Sequence, residues 1–283
     1  MVAVCRCRSC GQKFDSEDIP VGNPLGEPCT PKHLGPFDPI PNQQAIYSPR
    51  LRGSVYVLAY IPPNAFPRLL GTAWAVESQS QQLLLTALHC LDPELNQISF
   101  EALQNHLYIA KSIQLNDDNT TTIDVPISVR AIDACRVSDV AVLRSTTPLP
   151  DPISLCPQQE LPSVDHEEAV KTYHVPCQSF PADIPIASAM ATDYTKIIMQ
   201  SNHHYFVPGE HMHGSSGGVV VDRRGRAVGL ISSGFVPGIK LPLPDSFKTL
   251  WETVSALSEG RGTYTRCVKV NVVNGLYEYC ASH

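Results

Sequence analysis

The run His213-Gly214-Ser215-Ser216-Gly217-Gly218 sets a serine between glycines, an arrangement that can present a hydroxyl on a tight turn. Glycines let the backbone bend sharply and approach a substrate, and the amides of Gly214 and Ser216 can converge as an oxyanion hole. A serine hydroxyl is a poor nucleophile at neutral pH. It needs an imidazole to take its proton and a carboxylate to fix the tautomer of that imidazole. Both residue types stand upstream. The apolar run Leu83-Leu84-Leu85-Thr86-Ala87-Leu88 ends on His89, and Asp139 opens the run Val140-Ala141-Val142-Leu143. Taken singly, His89 reads equally as a core histidine, Asp139 as a turn residue and the glycine-serine string as a plain loop. Together they supply a nucleophile, a base and an orienting group. Asp133, six residues before Asp139, is a second candidate carboxylate, but no apolar run follows it.

The elements that must position these groups read as strands. Apolar runs at 54–61, 70–76, 83–86, 107–115 and 140–143 predict a first antiparallel β-barrel within residues 50–145. The proline-rich stretch from Thr146 to Pro152 suits neither a strand nor a helix interior and opens a linker over 146–168. Runs at 171–176, 196–200, 218–222 and 227–232 predict a second barrel within 169–258. That barrel is closed by an amphipathic helix over 245–257, with Phe247, Leu250, Val254 and Leu257 at helical spacing. A hairpin around Asn274-Gly275 is expected in the extension 259–283. The fold class is all-β, with His89 and Asp139 in one half and Ser216 in the other. A cleft between barrels would bring them together.

The wording around the three residues resembles the trypsin and chymotrypsin-like serine peptidases. Thr86-Ala87-Leu88-His89-Cys90 is similar to that family's Thr-Ala-x-His-Cys block, and Ser138-Asp139-Val140-Ala141-Val142-Leu143 to its Asp-Ile-Ala-Leu-Leu block. Gly214-Ser215-Ser216-Gly217-Gly218 is similar to Gly-Asp-Ser-Gly-Gly, and the likeness runs from about Gly53 to about Leu257. The resemblance implies two six-stranded barrels and a serine endopeptidase that needs no cofactor for catalysis. His89 would be the base, Asp139 its orienting carboxylate, Ser216 the nucleophile, and Gly214 and Ser216 the oxyanion hole. It also implies that Ser232, Ser233 and Gly234 pair with the backbone of a protein or peptide substrate. Glu210, six residues before the nucleophile, would floor the primary pocket and favour a cationic side chain; its alternative is an exposed surface carboxylate.

Two departures matter. Ser215 stands where digestive members carry an aspartate that pairs with a newly cut N-terminus, and no Ile-Val-Gly-Gly-like segment precedes the first barrel. The expectation is an oxyanion hole that is preformed or held by another contact, as in the bacterial and organellar proteases that Gly225-Arg226-Ala227-Val228-Gly229-Leu230 also resembles. No cysteine stands in Gly71-Thr72-Ala73-Trp74-Ala75-Val76 to pair with Cys90, as one does in secreted members.

The first forty residues carry a different signal. Cys7-Arg8-Ser9-Cys10-Gly11 and Cys29-Thr30-Pro31-Lys32-His33 resemble small zinc modules of the Cys-x-x-Cys and Cys-x-x-x-His type. So short a segment cannot build its own core, and zinc on Cys7, Cys10, Cys29 and His33 would explain how 1–40 folds and docks a protein partner. A tail of free thiols and a competing Cys5 remain alternatives, as does a second site among His203, His204, His211 and His213. The net charge of −6 and pI of about 5.9 argue against a nucleic-acid partner. No apolar run approaches the ~20 residues that span a bilayer, so no membrane partner is expected. The N-terminus lacks a signal-like apolar stretch and the ten cysteines are irregularly spaced, so an intracellular, cytoplasmic setting is expected. A catalytically silent binding module that recruits partners through the zinc segment is the alternative to the peptidase.

Overall fold

The apolar runs become strands in the computed structural model. It describes residues 4–7, 13–15, 49–63, 65–115, 121–135, 138–163, 169–176, 191–197, 199–200, 203–208, 214–235 and 264–273. In chain order the elements are β1 (Val4–Cys7), β2 (Lys13–Asp15), α1 (Pro49–Gly53), β3 (Val55–Tyr60), β4 (Arg68–Ala75) and β5 (Leu83–Ala87). Then come α2 (Pro93–Asn96), α3 (Phe100–Asn105), β6 (Leu107–Ala110), β7 (Ile113–Leu115), β8 (Thr121–Ile123), β9 (Ile127–Cys135) and β10 (Val140–Ser145). The second half holds β11 (Ala169–His174), β12 (Ala191–Lys196), β13 (Met199–Gln200), β14 (His204–Pro208), β15 (Val219–Val221), β16 (Ala227–Phe235) and β17 (Tyr264–Lys269).

Six strands close into an antiparallel barrel in the order β10-β5-β4-β3-β6-β9. Closure leaves no unpaired edge, and β5 is buried along its whole length. Leu58, Leu84 and Ile109, which share one face of the barrel wall, and Trp74 on the other face are all fully buried. The cluster they belong to takes in Tyr173, Val219, Leu230 and Val268 from the second half, while Val170, Tyr205, Val207, Val220, Val228 and Ile231 form a separate core there.

The second half is one antiparallel sheet, in the order β12-β11-β15-β16-β17-β14-β13-β1-β2. Its first six strands, β12 to β14, include β14, which the sequence reading does not place, and β17, which lies beyond the bound of 258 expected for the second barrel. Among the described residues no ladder joins β12 to β14, so the sheet stays open where a barrel would close. The N-terminal strands extend it, with Arg6 opposite Gln200.

The strand pattern departs from the sequence reading in several places. The run at 107–115 is two strands, because Lys111 and Ser112 leave the ladder and β7 turns to pair with β8. Residues 270–273 are helical, not the first arm of a hairpin. Val270 and Val273, three apart, are both buried, and the preceding β17 already fills the gap between β14 and β16. The turn Asn274-Gly275 and the predicted helix at 245–257 lie outside the described residues. From 146 to 152 the chain has neither helix nor strand, and Ile153 and Leu155 then bridge to Val76 and Ala227.

Candidate active site

Antiparallel register brings the histidine and the aspartate together. Ala87, the last residue of β5, lies opposite Val140, the first of β10, so the residues just beyond these ends must meet. The Leu88 amide donates to the Asp139 carbonyl at 3.1 Å. The His89 amide donates to Asp139 Oδ1 at 3.0 Å, and its ring Nδ1–H to Asp139 Oδ2 at 2.8 Å. Asp139 makes this reach from a left-handed backbone with φ 57°, a conformation that aspartate tolerates better than most residues. His89 stays about a third exposed, at 35%, and the carboxylate engages its ring through Nδ1.

The serine turn is seated on the first barrel. The Thr72 amide donates to the Ser216 carbonyl at 2.7 Å, and Thr72 Oγ1 donates to the Gly214 carbonyl at 2.8 Å. Thr72 Oγ1 also accepts the Val175 amide at 2.9 Å, so one threonine ties β4 to the turn and to the end of β11. Cys90 Sγ, next to His89, reaches the Ser216 carbonyl at 3.7 Å. Gly217 is required here: at φ +87° a β-carbon would stand 2.0 Å from the Thr72 carbonyl oxygen and 2.5 Å from Thr86 Oγ1. Ser216 is partly exposed, whereas Ser215 is buried at 1%. Among the described residues no hydrogen bond joins Ser216 Oγ to the His89 ring. Such contacts are often long before a substrate arrives.

Ser232 comes to the same place from β16. The β16–β17 register shifts between Ile231 and Ser233, and this bulge re-aims Ser232 out of the ladder. Its hydroxyl donates to Asp139 Oδ2 and accepts from Arg266 Nη2 at 2.8 Å. Arg266 Nη2 itself lies 3.9 Å from Asp139 Oδ2, so a buried guanidinium stands behind the carboxylate. Ser233 and Gly234 continue β16 opposite Arg266 and Thr265. On the other edge, the pairing of β16 ends among the described residues at Ile231, where Gly217 and Gly218 meet it.

Charge follows this geometry. Burial opposes protonation of His89, but Cys90 and the Asp139 carboxylate outweigh it and hold the imidazole well above its ordinary value. Burial likewise opposes ionisation of Asp139. The His89 contact, the Ser232 hydroxyl and the Arg266 charge overcome it, so the carboxyl sits below its usual value. The pair is therefore arranged to take up a proton at the ring.

Glu210, His211 and His213 lie outside the described residues, as do Cys10, Cys29 and His33. Cys7 ends β1, whose neighbour is Met199, and among the described residues no group of three or more His, Cys, Asp or Glu is placed to hold a metal ion. Asp133 pairs opposite Val142 in β9, away from His89. The sequence reading missed two contributors: Thr72 and Arg266. Thr72 stood inside a strand that was read correctly, but a side chain's partner across the fold leaves no local mark.

No protein-family model matches the chain, and no curated protein matches it. Among solved structures, the Rv3671c protease of M. tuberculosis in its active form is similar at 12% identity, over 80% of this chain and 79% of that one, with a TM-score of 0.49. The HtrA-type protease AlgW with a decapeptide is similar at 13% identity, over 83% of this chain and 66% of that one, with a TM-score of 0.49. The thermostable serine protease AL20 from an extremophilic microorganism is similar at 11% identity, over 83% and 99%, with a TM-score of 0.49. These are likenesses of overall shape between distant sequences.

Proposed function

We propose that this protein is a serine endopeptidase that cleaves peptide bonds through an acyl-enzyme, with Ser216 as nucleophile, His89 as general base and Asp139 as the orienting carboxylate. The observation that carries the reading is the 2.8 Å bond from His89 Nδ1–H to Asp139, formed at the ends of paired strands beside a glycine turn that presents Ser216. With Nδ1 committed to the carboxylate, Nε2 is the nitrogen available to take the Ser216 proton as Oγ attacks a carbonyl carbon. The amides of Gly214 and Ser216 would hold the developing oxyanion, and the His89 imidazolium would return its proton to the leaving amine. Water then attacks the ester by the same base, releasing the acid and restoring Ser216. A substrate backbone would lie along the edge of β16 at Ser232 to Gly234, with Glu210 flooring the primary pocket.

A fluorophosphonate probe tests the assignment. Wild-type protein should be labelled at Ser216, and Ser216→Ala and His89→Ala should not be. Equal labelling of all three, or none of the wild type, would leave the fold as a silent binding module. The pocket is tested separately by a peptide library: wild type should prefer lysine or arginine before the cleaved bond, and Glu210→Gln should lose that preference.

A further inference from the structure

Beside the turn that carries Ser216 lies a second chain of serine, histidine and aspartate, with its serine and histidine buried and its aspartate exposed at the surface. Ser215 Oγ is 2.7 Å from His174 Nδ1, and His174 Nε2 is 2.9 Å from Asp193 Oδ2. Ser215 is buried at 1% and His174 at 4%, so neither can meet a substrate. The antiparallel pairing of β11 with β12 sets this up. Asp193 lies opposite Thr172, two residues from His174 along the strand, and so reaches the ring on the diagonal.

We propose that His174 and Asp193 are positioning residues, which lock Ser215 and thereby aim the amide that follows it, Ser216 N–H, at the oxyanion. This inference rests on the peptidase reading of Ser216. The direction of each bond follows from the donors available. The Asp193 carboxylate can only accept, so Nε2 carries the proton; when the ring is neutral, Nδ1 is the acceptor and the Ser215 hydroxyl donates to it. Asp193 thus sets the tautomer that allows His174 to hold Ser215. The remaining contacts of the turn act on either side of that point. The Gly214 carbonyl accepts from Thr72 Oγ1, the Gly218 amide donates to the Ser215 carbonyl at 2.9 Å, and a β-carbon on Gly218 would stand 2.7 Å from His174 Cβ. The Ser216 N–H shares its peptide plane with the Ser215 carbonyl, which the Gly218 amide holds, and the plane before it is held by its Gly214 carbonyl, so with the Ser215 side chain also fixed the Ser216 N–H cannot rotate away from the hole. The same three residue types therefore serve two ends, set by exposure: Ser216 is open to solvent, and Ser215 is closed against the core.

Kinetics on the full chain test this. His174→Ala and Ser215→Ala should lower kcat by roughly 10²-fold, the loss that follows removal of one oxyanion donor, with KM changed by less than about threefold. Asp193→Ala should fall between these and wild type. His174→Asn, whose side-chain oxygen can take the place of Nδ1 as acceptor for Ser215, should recover much of the rate. A purely structural histidine would not give this rescue or confine its effect to kcat. Melting temperatures identify a variant that has not folded, and Ser215→Ala, which removes a single oxygen, then carries the test. Wild-type kcat in His174→Ala and Ser215→Ala, or a loss confined to KM, overturns the proposal. A wild type that the fluorophosphonate does not label at Ser216 overturns the peptidase reading and takes this one with it, and the labelling arm separates the two failures.

Discussion

His89 is held protonated more firmly than an ordinary histidine, and a general base works only when neutral. The rate should therefore rise with pH along a limb displaced above the ordinary value of about 6.5, as read from kcat/KM in a pH series. Asp139→Asn should lower turnover by about 10⁴-fold, because the ring loses its fixed tautomer, and should move that limb downward. Arg266 acts in the opposite sense. Its charge behind Asp139 disfavours a second cation on His89, so Arg266→Met should push the limb to still higher pH while Arg266→Lys leaves it in place. An unmoved limb in Arg266→Met would show that the guanidinium is only packing. The shift on His89 also bears on stability. Since its folded value is raised, its contribution is complete below about pH 6.5 and is lost as pH rises through the folded value. The difference in melting temperature between wild type and His89→Gln should accordingly shrink from weakly acidic to alkaline buffer.

Between elements, the joint that matters most is Thr72 on β4. Its hydroxyl donates to Gly214 and accepts from Val175, both across the boundary between the halves. Thr72→Val keeps the shape and strands both partners, at a cost of roughly 2–5 kcal/mol in urea unfolding. It should also slow acylation, because the turn loses an anchor. Strands such as β3, β5 and β10 were legible as apolar runs, since both of their faces are buried. The strands β9, β12, β14 and β17 were not. β9 is half exposed and carries Arg130 and Asp133, and β17 buries Arg266 and Lys269, residues that in a sequence read as surface. Their pairing is long-range, and the charges they bury find partners only in the folded sheet.

For the molecule as a whole, the shared core has a direct consequence. Residues from both halves, Leu85 and Trp74 with Leu230 and Val268, belong to one apolar cluster. The halves should therefore unfold together, with tryptophan fluorescence and far-UV circular dichroism giving coincident urea transitions. Two separated transitions would contradict a common core. Leu84→Ala, in the fully buried interior of the first barrel, should cost about 2–5 kcal/mol and lower the midpoint without changing the slope.

The sequence alone was enough to identify the all-β class and most strands of the first barrel, because apolar runs are local properties of the chain. The expectation that Ser216 rather than Ser215 is the nucleophile comes from the resemblance of Gly214-Ser215-Ser216-Gly217-Gly218 to a family block. What the sequence left open was how each serine is held, and this was decided by contacts between distant segments. Ser215 meets His174 across 41 residues, and Ser232 meets Asp139 across 93. A partner at that distance is chosen by strand register, bulges and burial, and these exist only once the sheets have closed around a common core.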